Sequence, residues 1–250
     1  MHTILVLFPF ILSVFSCEQK QDQRILVFSK TEKFRHTSIP AAKLAILKLG
    51  LDNHFKVDTT ENADLFNEAS LEKYAAVVFL HTTGNVLNEK QELEFKKYIQ
   101  AGGGYAGIHA AADTEYDWEW YGKLAGAYFQ NHPEIQAATL NIIDNAHAST
   151  KHLPAKWNRT DEWYNFKNLN PDVKIIMTID ESTYTGGTMN NNHPMSWYHA
   201  FDGGRSFYTA LGHTEASWTE TLFLQHVLGG IKYAMGELFL KLFHIYFYQK

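Results

Sequence analysis

The sequence is short of cysteine, of excess positive charge and of long apolar runs, and each shortage excludes a class of protein. One Cys in 250 residues permits no intrachain disulfide and no Cys-x-x-Cys metal or redox motif. Lys and Arg number 22 against 27 Asp and Glu, a net charge of −5, so nucleic-acid binding is not expected. The apolar run at residues 4–15 is too short to span a bilayer as a helix.

That apolar run has the size of a signal-peptide core, although no Lys or Arg precedes it. It ends in VFSC, and the polar letters EQKQDQ follow, an order that resembles a bacterial lipobox. This pattern predicts a signal peptide at 1–16, a lipidated Cys17 and a polar linker at 17–23. The expected location is the cell envelope, anchored to the membrane at the periplasmic face or the outer surface. The alternative is a buried N-terminal strand in which the Cys is incidental.

The first half of the remaining chain alternates between strand and helix patterns. Apolar runs at residues 24–30, 55–60, 75–84 and 104–109 predict strands, and residues 39–50 predict a helix with Pro40 in its first turn and Gly50 as its C-cap. A second helix begins at Asn88, with Gln91 placed for a capping box. Such alternation predicts a flavodoxin-like α/β sandwich of three layers, with a mostly parallel central sheet.

The second half is less regular. Residues 135–144, 173–180, 194–201 and 205–213 read as strands, with Gly203 and Gly204 as a hairpin turn between the last two. An apolar stripe over 218–236 predicts a closing helix. The folded domain is therefore expected to span 24–236. The apolar tail at 237–250 is predicted to pack on this domain rather than lie on a membrane surface.

Histidines follow three of these strands. His81 and Gly84 lie at the end of one strand, His109 ends the next strand, and His213 ends a late strand. The carboxyl ends of parallel strands share one edge of a sheet, where ligands bind in open α/β folds, so these side chains should meet. His109 occupies the tip of GGGYAGIHAA, a turn of the kind that presents a nucleophile in other α/β enzymes.

Seven segments together are similar to the ThuA-like (trehalose utilisation) family, a branch of the class I glutamine amidotransferase fold. They are FRHTSIP, GGGYAGIHAA, NHP, DEWYNF, HPMSWYH, GGRSFYTALGH and the final helix with its Trp. Amidotransferases of this fold carry Gly-x-Cys-x-Gly at the turn and His-x-Glu after a late strand. By this resemblance His213 and Glu215 occupy the latter positions. His109 replaces the Cys and Ala111 the second Gly, so a thioester mechanism and glutaminase activity are not expected.

Imidazoles at this turn are suited to acid/base catalysis or to binding a divalent metal with a carboxylate, and His109 and His213 are the candidate ligands. Asp161 and Glu162 are adjacent, so at most one should enter the pocket, and we select Glu162 as acid, base or ligand. The catalytic candidates are therefore His109, His213, Glu162 and Glu215. The predicted substrate-binding residues are Arg35, His36, Ser38, Gly84, His132 and Tyr164.

Other polar and aromatic residues are left open between a structural and a functional role. They are His193, His199, Arg205, Trp118, Trp120 and Tyr121. The resemblance implies carbohydrate metabolism, on trehalose or related glycosides, including their 3-keto forms. The alternatives are a non-catalytic sugar-binding lipoprotein and a metal-dependent hydrolase on another substrate. The oligomeric state is not predicted.

Overall fold

The computed structural model describes residues 23–236. The predicted signal peptide, Cys17, nearly all of the linker and the tail at 237–250 lie outside these residues. Within them, no helix combines the length and apolarity needed to cross a bilayer.

The described chain forms eleven strands and five α-helices. The strands are β1 (Arg24–Phe28), β2 (Lys56–Thr60), β3 (Ala76–Leu80), β4 (Gly104–Ile108), β5 (Tyr128–Asn131), β6 (Gln136–Ile142), β7 (Lys156–Asp161), β8 (Asn165–Lys167), β9 (Lys174–Ile179), β10 (Pro194–Phe201) and β11 (Gly204–Thr209). The helices are α1 (Ile39–Asp52), α2 (Glu68–Leu71), α3 (Glu89–Gln100), α4 (Glu119–Ala125) and α5 (Thr221–Met235).

Nine strands form one sheet in the order β2-β1-β3-β4-β11-β10-β9-β6-β7, and β5 pairs with β8 in a separate sheet. The pairings from β2 through β11 are parallel and those from β11 through β7 are antiparallel. The five parallel strands have the flavodoxin-like order, which confirms the predicted fold class. Strands β1, β3 and β4 are buried almost throughout, as expected of strands covered on both faces.

Three local predictions are corrected by the structure. Gly50 lies inside α1, which continues to Asp52, and a Cβ there would stand 2.5 Å from the Val57 side chain. The hairpin turn consists of Asp202 and Gly203, with φ of +47° and +95°, and Gly204 already belongs to β11. The closing helix starts at Thr221, after a short 3₁₀ turn at Glu215–Thr219.

Strands β5, β7 and β8 were not predicted. Strand β7 alternates exposed and buried residues along KWNRTD, and its two charged side chains on the buried face, Arg159 and Asp161, pair with each other at 3.0 Å. Strands of this polarity are hard to recognise because the usual apolar alternation is missing. The omission matters, because β7 leads directly into Glu162.

Candidate functional site

The three predicted histidines do meet at the carboxyl edge of the parallel strands. His81 follows β3, His109 follows β4, and His213 lies four residues after the end of β11. The backbone at His81 and His109 is left-handed, with φ of +51° and +50°. Non-glycine residues rarely adopt this conformation, which turns each side chain sharply away from its strand. The turn at His109 is thus built as the sequence predicted.

His109 is completely buried and its orientation is held from two sides. Its Nδ1 lies 2.6 Å from the carbonyl oxygen of Ala210, and the hydroxyl of Tyr208 donates to the His109 carbonyl at 2.7 Å. A carbonyl oxygen only accepts, so Nδ1 carries the hydrogen and donates it. In the neutral ring, Nε2 is then left with a lone pair that points into the site.

Nε2 of this ring and two atoms of other residues lie close together, and each of the three can offer a lone pair. His109 Nε2 is 3.2 Å from Glu162 Oε2 and 3.1 Å from His213 Nδ1, and His213 Nδ1 is 3.1 Å from the same Oε2. One ligand atom of His36 joins them, with all four within 4.8 Å of one another. We call these four residues the His/Glu cluster. Ligands about 2.0–2.1 Å from one tetrahedral ion lie roughly 3.3–3.4 Å apart, so the cluster has dimensions that suit a divalent cation.

The cluster can be held by a shared cation or by a shared hydrogen. Because His109 Nδ1 donates to the Ala210 carbonyl, His109 Nε2 carries no hydrogen in the neutral ring, whereas His213 Nδ1 can carry one and donate it to Glu162 Oε2. Burial would raise the pKa of the Glu162 carboxyl, but the neighbouring His109 and His213 rings outweigh burial and hold that pKa well below its ordinary value. Burial, with His109 and His213 nearby, lowers the pKa of His36 to about 2. An ionised carboxylate beside a neutral imidazole is the form that binds metal.

His132 and Tyr164 complete the surroundings of the cluster. His132 Nδ1 is 3.2 Å from the second carboxylate oxygen of Glu162, and its side chain is 41% exposed. The Tyr164 ring lies 4.2 Å from the His109 ring and is buried, so it supports His109 from the interior. Of these two predicted substrate-binding residues, His132 has the accessible side chain.

Asp161 is a site residue to which the sequence assigned no role. Its buried carboxylate accepts hydrogen bonds from the backbone N–H groups of Gly212 and His213, at 2.9 and 3.1 Å, and pairs with Arg159. The two adjacent carboxylates therefore have different contacts, as the alternation of side chains along a strand predicts. Glu162 enters the cluster, and Asp161 holds the loop that presents His213.

Glu215 does not reach His213. It is exposed at the start of the 3₁₀ turn, and within residues 23–236 no hydrogen bond or ion pair joins it to His213. The expectation that Glu215 orients His213 fails in this geometry because Asp161 holds the His213 backbone and Glu162 contacts its ring.

Of the remaining predicted binding residues, His36 belongs to the cluster, and the other three contribute no atom to it. Arg35 is exposed and pairs with Glu61 at 2.9 Å. Ser38 is buried immediately before α1, and its hydroxyl has no partner among the described residues. The N–H of Gly84 donates to the Asp113 carbonyl at 2.8 Å, so it is not available to bind an anion.

The residues left open are assigned structural positions. His193 bonds Glu181 and the Tyr164 carbonyl, His199 bonds the Lys123 carbonyl, and Arg205 bonds the carbonyls of Gly102 and Ala234. The aromatic segment at 118–121 packs on the core, with Tyr121 fully buried. None of them contributes an atom to the His/Glu cluster.

His81 lies behind the cluster. Its ring is 4.9 Å from that of His36 and 5.3 Å from that of His109, and it is fully buried. Burial, followed by the nearness of His109, lowers its pKa well below the ordinary value, so the ring is neutral. Four imidazoles therefore pack together, and this packing is possible because at least two of them are uncharged.

Comparison with known proteins identifies the family and the fold. A family model described as "ThuA: Trehalose utilisation" matches residues 24–234. A ThuA-like protein from Bacteroides uniformis ATCC 8492 is 20% identical with a TM-score of 0.71, covering 85% of this chain and 91% of that one. A ThuA-like protein from Parabacteroides merdae ATCC 43184 is 20% identical with a TM-score of 0.71, covering 86% and 90%. A cytoplasmic protein from Salmonella typhimurium LT2 is 12% identical with a TM-score of 0.60, covering 85% and 99%. No curated protein matches the chain.

Proposed function

This chain belongs to the ThuA trehalose-utilisation family, and we propose that its His/Glu cluster is a divalent-cation site at which a carbohydrate is processed. The family associates the chain with carbohydrate metabolism. The observation that carries the site is the convergence of His109 Nε2, His213 Nδ1 and Glu162 Oε2 within 3.1–3.2 Å. Two imidazoles and one carboxylate are a common ligand set for zinc and for iron(II).

We propose a 3-keto glycoside as the substrate. The C–H group between a 3-keto carbonyl and the anomeric carbon is acidic, and removal of its proton can expel the glycosidic oxygen. The C–H bond breaks, a C=C bond forms, and the anomeric C–O bond breaks as the leaving oxygen takes up a proton. A cation bound at the cluster would supply polarisation of the sugar carbonyl oxygen.

The residues of the chain supply the proton transfers in this proposal. His132 is partly exposed and lies 3.2 Å from Glu162, so its ring can accept a proton while the carboxylate stabilises the resulting charge. Protonated His132 can then pass this proton to the leaving oxygen, while His213, whose side chain is 19% exposed, would hold the cation through Nδ1. His109 is fully buried, so it would bind the cation from the interior side of the site.

Cation binding tests the site. Full-length chain, extracted in detergent and stripped with EDTA, is titrated with Zn²⁺, Mn²⁺ and Fe²⁺ by calorimetry. We expect one ion per chain and at least about a 100-fold loss of affinity in Glu162→Gln, because a ligand is removed. Glu215→Gln is the matched control and should bind as the wild type does. Equal affinities in the two variants would exclude the His/Glu cluster as the site.

Turnover tests the reaction. Trehalose and 3-keto-trehalose are incubated with the cation-loaded chain, with and without EDTA, and the products are followed by NMR. We expect turnover of the keto sugar alone, lost with EDTA and in His109→Ala. Saturable sugar binding without turnover would instead indicate a binding protein, and EDTA-sensitive turnover of other substrates a hydrolase.

A further inference from the structure

Phe34 presents an exposed aromatic ring beside the His/Glu cluster. It is 63% exposed, and its ring centroid is 4.8 Å from that of His36, which is itself only 4% exposed. The ring planes are nearly perpendicular, at 88°. Phe34 therefore packs against the cluster residue His36 and leaves most of its own surface to the solvent.

A single exposed apolar residue is common on protein surfaces. The feature that distinguishes Phe34 is its position next to the cluster. Among the described residues, the other large apolar side chains with comparable exposure are aliphatic and lie elsewhere; they are Leu44, Leu47, Leu51, Leu93, Ile135 and Ile143. Phe34 differs from all of them in being aromatic and in direct contact with a cluster residue.

The loop that carries Phe34 is held in place. Thr83 Oγ1 donates to the Phe34 carbonyl at 2.8 Å and accepts from the Lys33 N–H at 3.3 Å, and Glu32 N–H donates to the Thr83 carbonyl at 2.8 Å. These bonds tie the loop to the segment after β3. A fixed ring loses little freedom when a ligand packs on it, which favours binding.

From this geometry we infer that Phe34 is the platform on which the apolar face of the substrate's pyranose ring stacks. The inference rests on the proposed function and names the class of ligand as a six-membered sugar ring with an exposed C–H face. Such a ring is apolar on its faces and polar at its edge. Phe34 would contact the face, and the partly exposed His132 and His213 would meet edge hydroxyls.

The loop that carries Phe34 also borders an open surface cavity, although neither Phe34 nor a residue of the His/Glu cluster lines it. A cavity of about 670 Å³ is lined by Lys33, which precedes Phe34, and by Gly84, which follows the Thr83 that anchors the loop. The cavity also contains Tyr116 and Lys167, with the Lys167 ammonium 4.7 Å from the Tyr116 ring.

Phe34→Ala and Phe34→Trp are compared with the wild type in the cation-loaded full chain, with Leu51→Ala as control. Leu51 is 78% exposed on α1 and has no contact with the cluster. Binding of 3-keto-trehalose and trehalose is measured by calorimetry, and KM and kcat by NMR. We expect Phe34→Ala to weaken binding and raise KM by about tenfold or more, with kcat within about twofold and cation affinity unchanged. Phe34→Trp and Leu51→Ala should retain binding.

The two proposals fail in different ways. Wild-type binding and KM in Phe34→Ala would overturn the platform alone and leave the proposed function standing. Sugar binding that depends on Phe34, without turnover by the wild type, would overturn the reaction and support the platform. No binding of either sugar to the wild type would overturn both.

Discussion

At the scale of single residues, two histidines of the site adopt a strained backbone conformation. His81 and His109 both hold φ near +50°, which costs roughly 1 kcal/mol or more for a residue with a Cβ. Hydrogen bonds to the Ala210 carbonyl and from the Tyr208 hydroxyl hold His109 in this conformation. The turn that presents a nucleophile in related folds here presents an imidazole lone pair, which suits ligation or proton transfer rather than covalent attack.

A prediction at this scale concerns Glu115, whose carboxylate accepts the N–H groups of Val86 and Leu87, both at 2.8 Å. Burial, opposed by these hydrogen bonds, raises its pKa from 4.5 to about 7. Folding thus favours the protonated form, and the contribution to stability is full below pH 4.5 and lost as pH rises through about 7. Between pH 5 and 8, the unfolding free energy of the wild type should fall by about 2–3 kcal/mol more than that of Glu115→Gln.

Urea unfolding at both pH values measures this difference. Glu119→Gln is the control, because Glu119 is exposed and pairs with Lys123 on the surface. Its pH dependence should follow that of the wild type. Parallel profiles for Glu115→Gln and the wild type would show that Glu115 ionises normally in the folded chain.

At the scale of elements, strand ends and loops form the site while helices support the sheet. The cluster residues follow β4, β7 and β11 or precede α1. Helix α3 buries Phe95 and Ile99 and contributes no residue to the cluster. Its start is a complete capping box, in which the Asn88 side chain accepts from Gln91 N–H and the Gln91 side chain accepts from Asn88 N–H, both at 3.0 Å.

Removal of this cap should therefore affect stability and not function. Asn88→Ala is expected to lower the unfolding free energy by about 1 kcal/mol, because the first turn of α3 loses an acceptor. Asn88→Asp keeps the acceptor and should remain near wild type. Both are measured by thermal or urea unfolding, with cation affinity by calorimetry alongside. A change in cation affinity in Asn88→Ala would show that α3 is coupled to the site.

At the scale of the whole molecule, curvature of the sheet assembles the cluster. Strand β7 is five positions from β4 in the sheet order, a distance of about 24 Å if the sheet were flat. Glu162, which follows β7, nevertheless lies 3.2 Å from His109, which follows β4. The antiparallel half must therefore curl back over the carboxyl edge, and register shifts between β9 and β10 are of the kind that bends a sheet.

A cation at the cluster would join these two halves and should stabilise the whole fold. At a free concentration about 100 times Kd, the expected gain is about 2.7 kcal/mol. For a domain of this size, that corresponds to a rise in Tm of about 5–10 °C. Differential scanning fluorimetry with Zn²⁺ or Mn²⁺ measures this rise, and Glu162→Gln should show little of it. An equal shift in Glu162→Gln would place the stabilising ion elsewhere.

Much of the fold could be predicted because the signals are local. Buried parallel strands are continuous apolar runs, and the capping pair Asn88 and Gln91 indicates where α3 begins. Strand β7 could not be predicted in the same way, since its buried face carries an ion pair that only the folded chain explains. Phe34 was likewise overlooked as an individual residue, because exposure and contact with His36 are properties of three dimensions.

By itself the sequence determined the α/β class, the family and the positions of His109 and His213 at strand ends, since short-range patterns encode all of these. Only the tertiary structure decided which carboxylates contact these two histidines. Glu215 is two residues from His213 yet exposed, while Glu162 and Asp161 arrive from a strand more than fifty residues away, at 3.1 Å from the His213 ring and backbone respectively. Long-range pairing and sheet curvature set those distances, and no local pattern contains them.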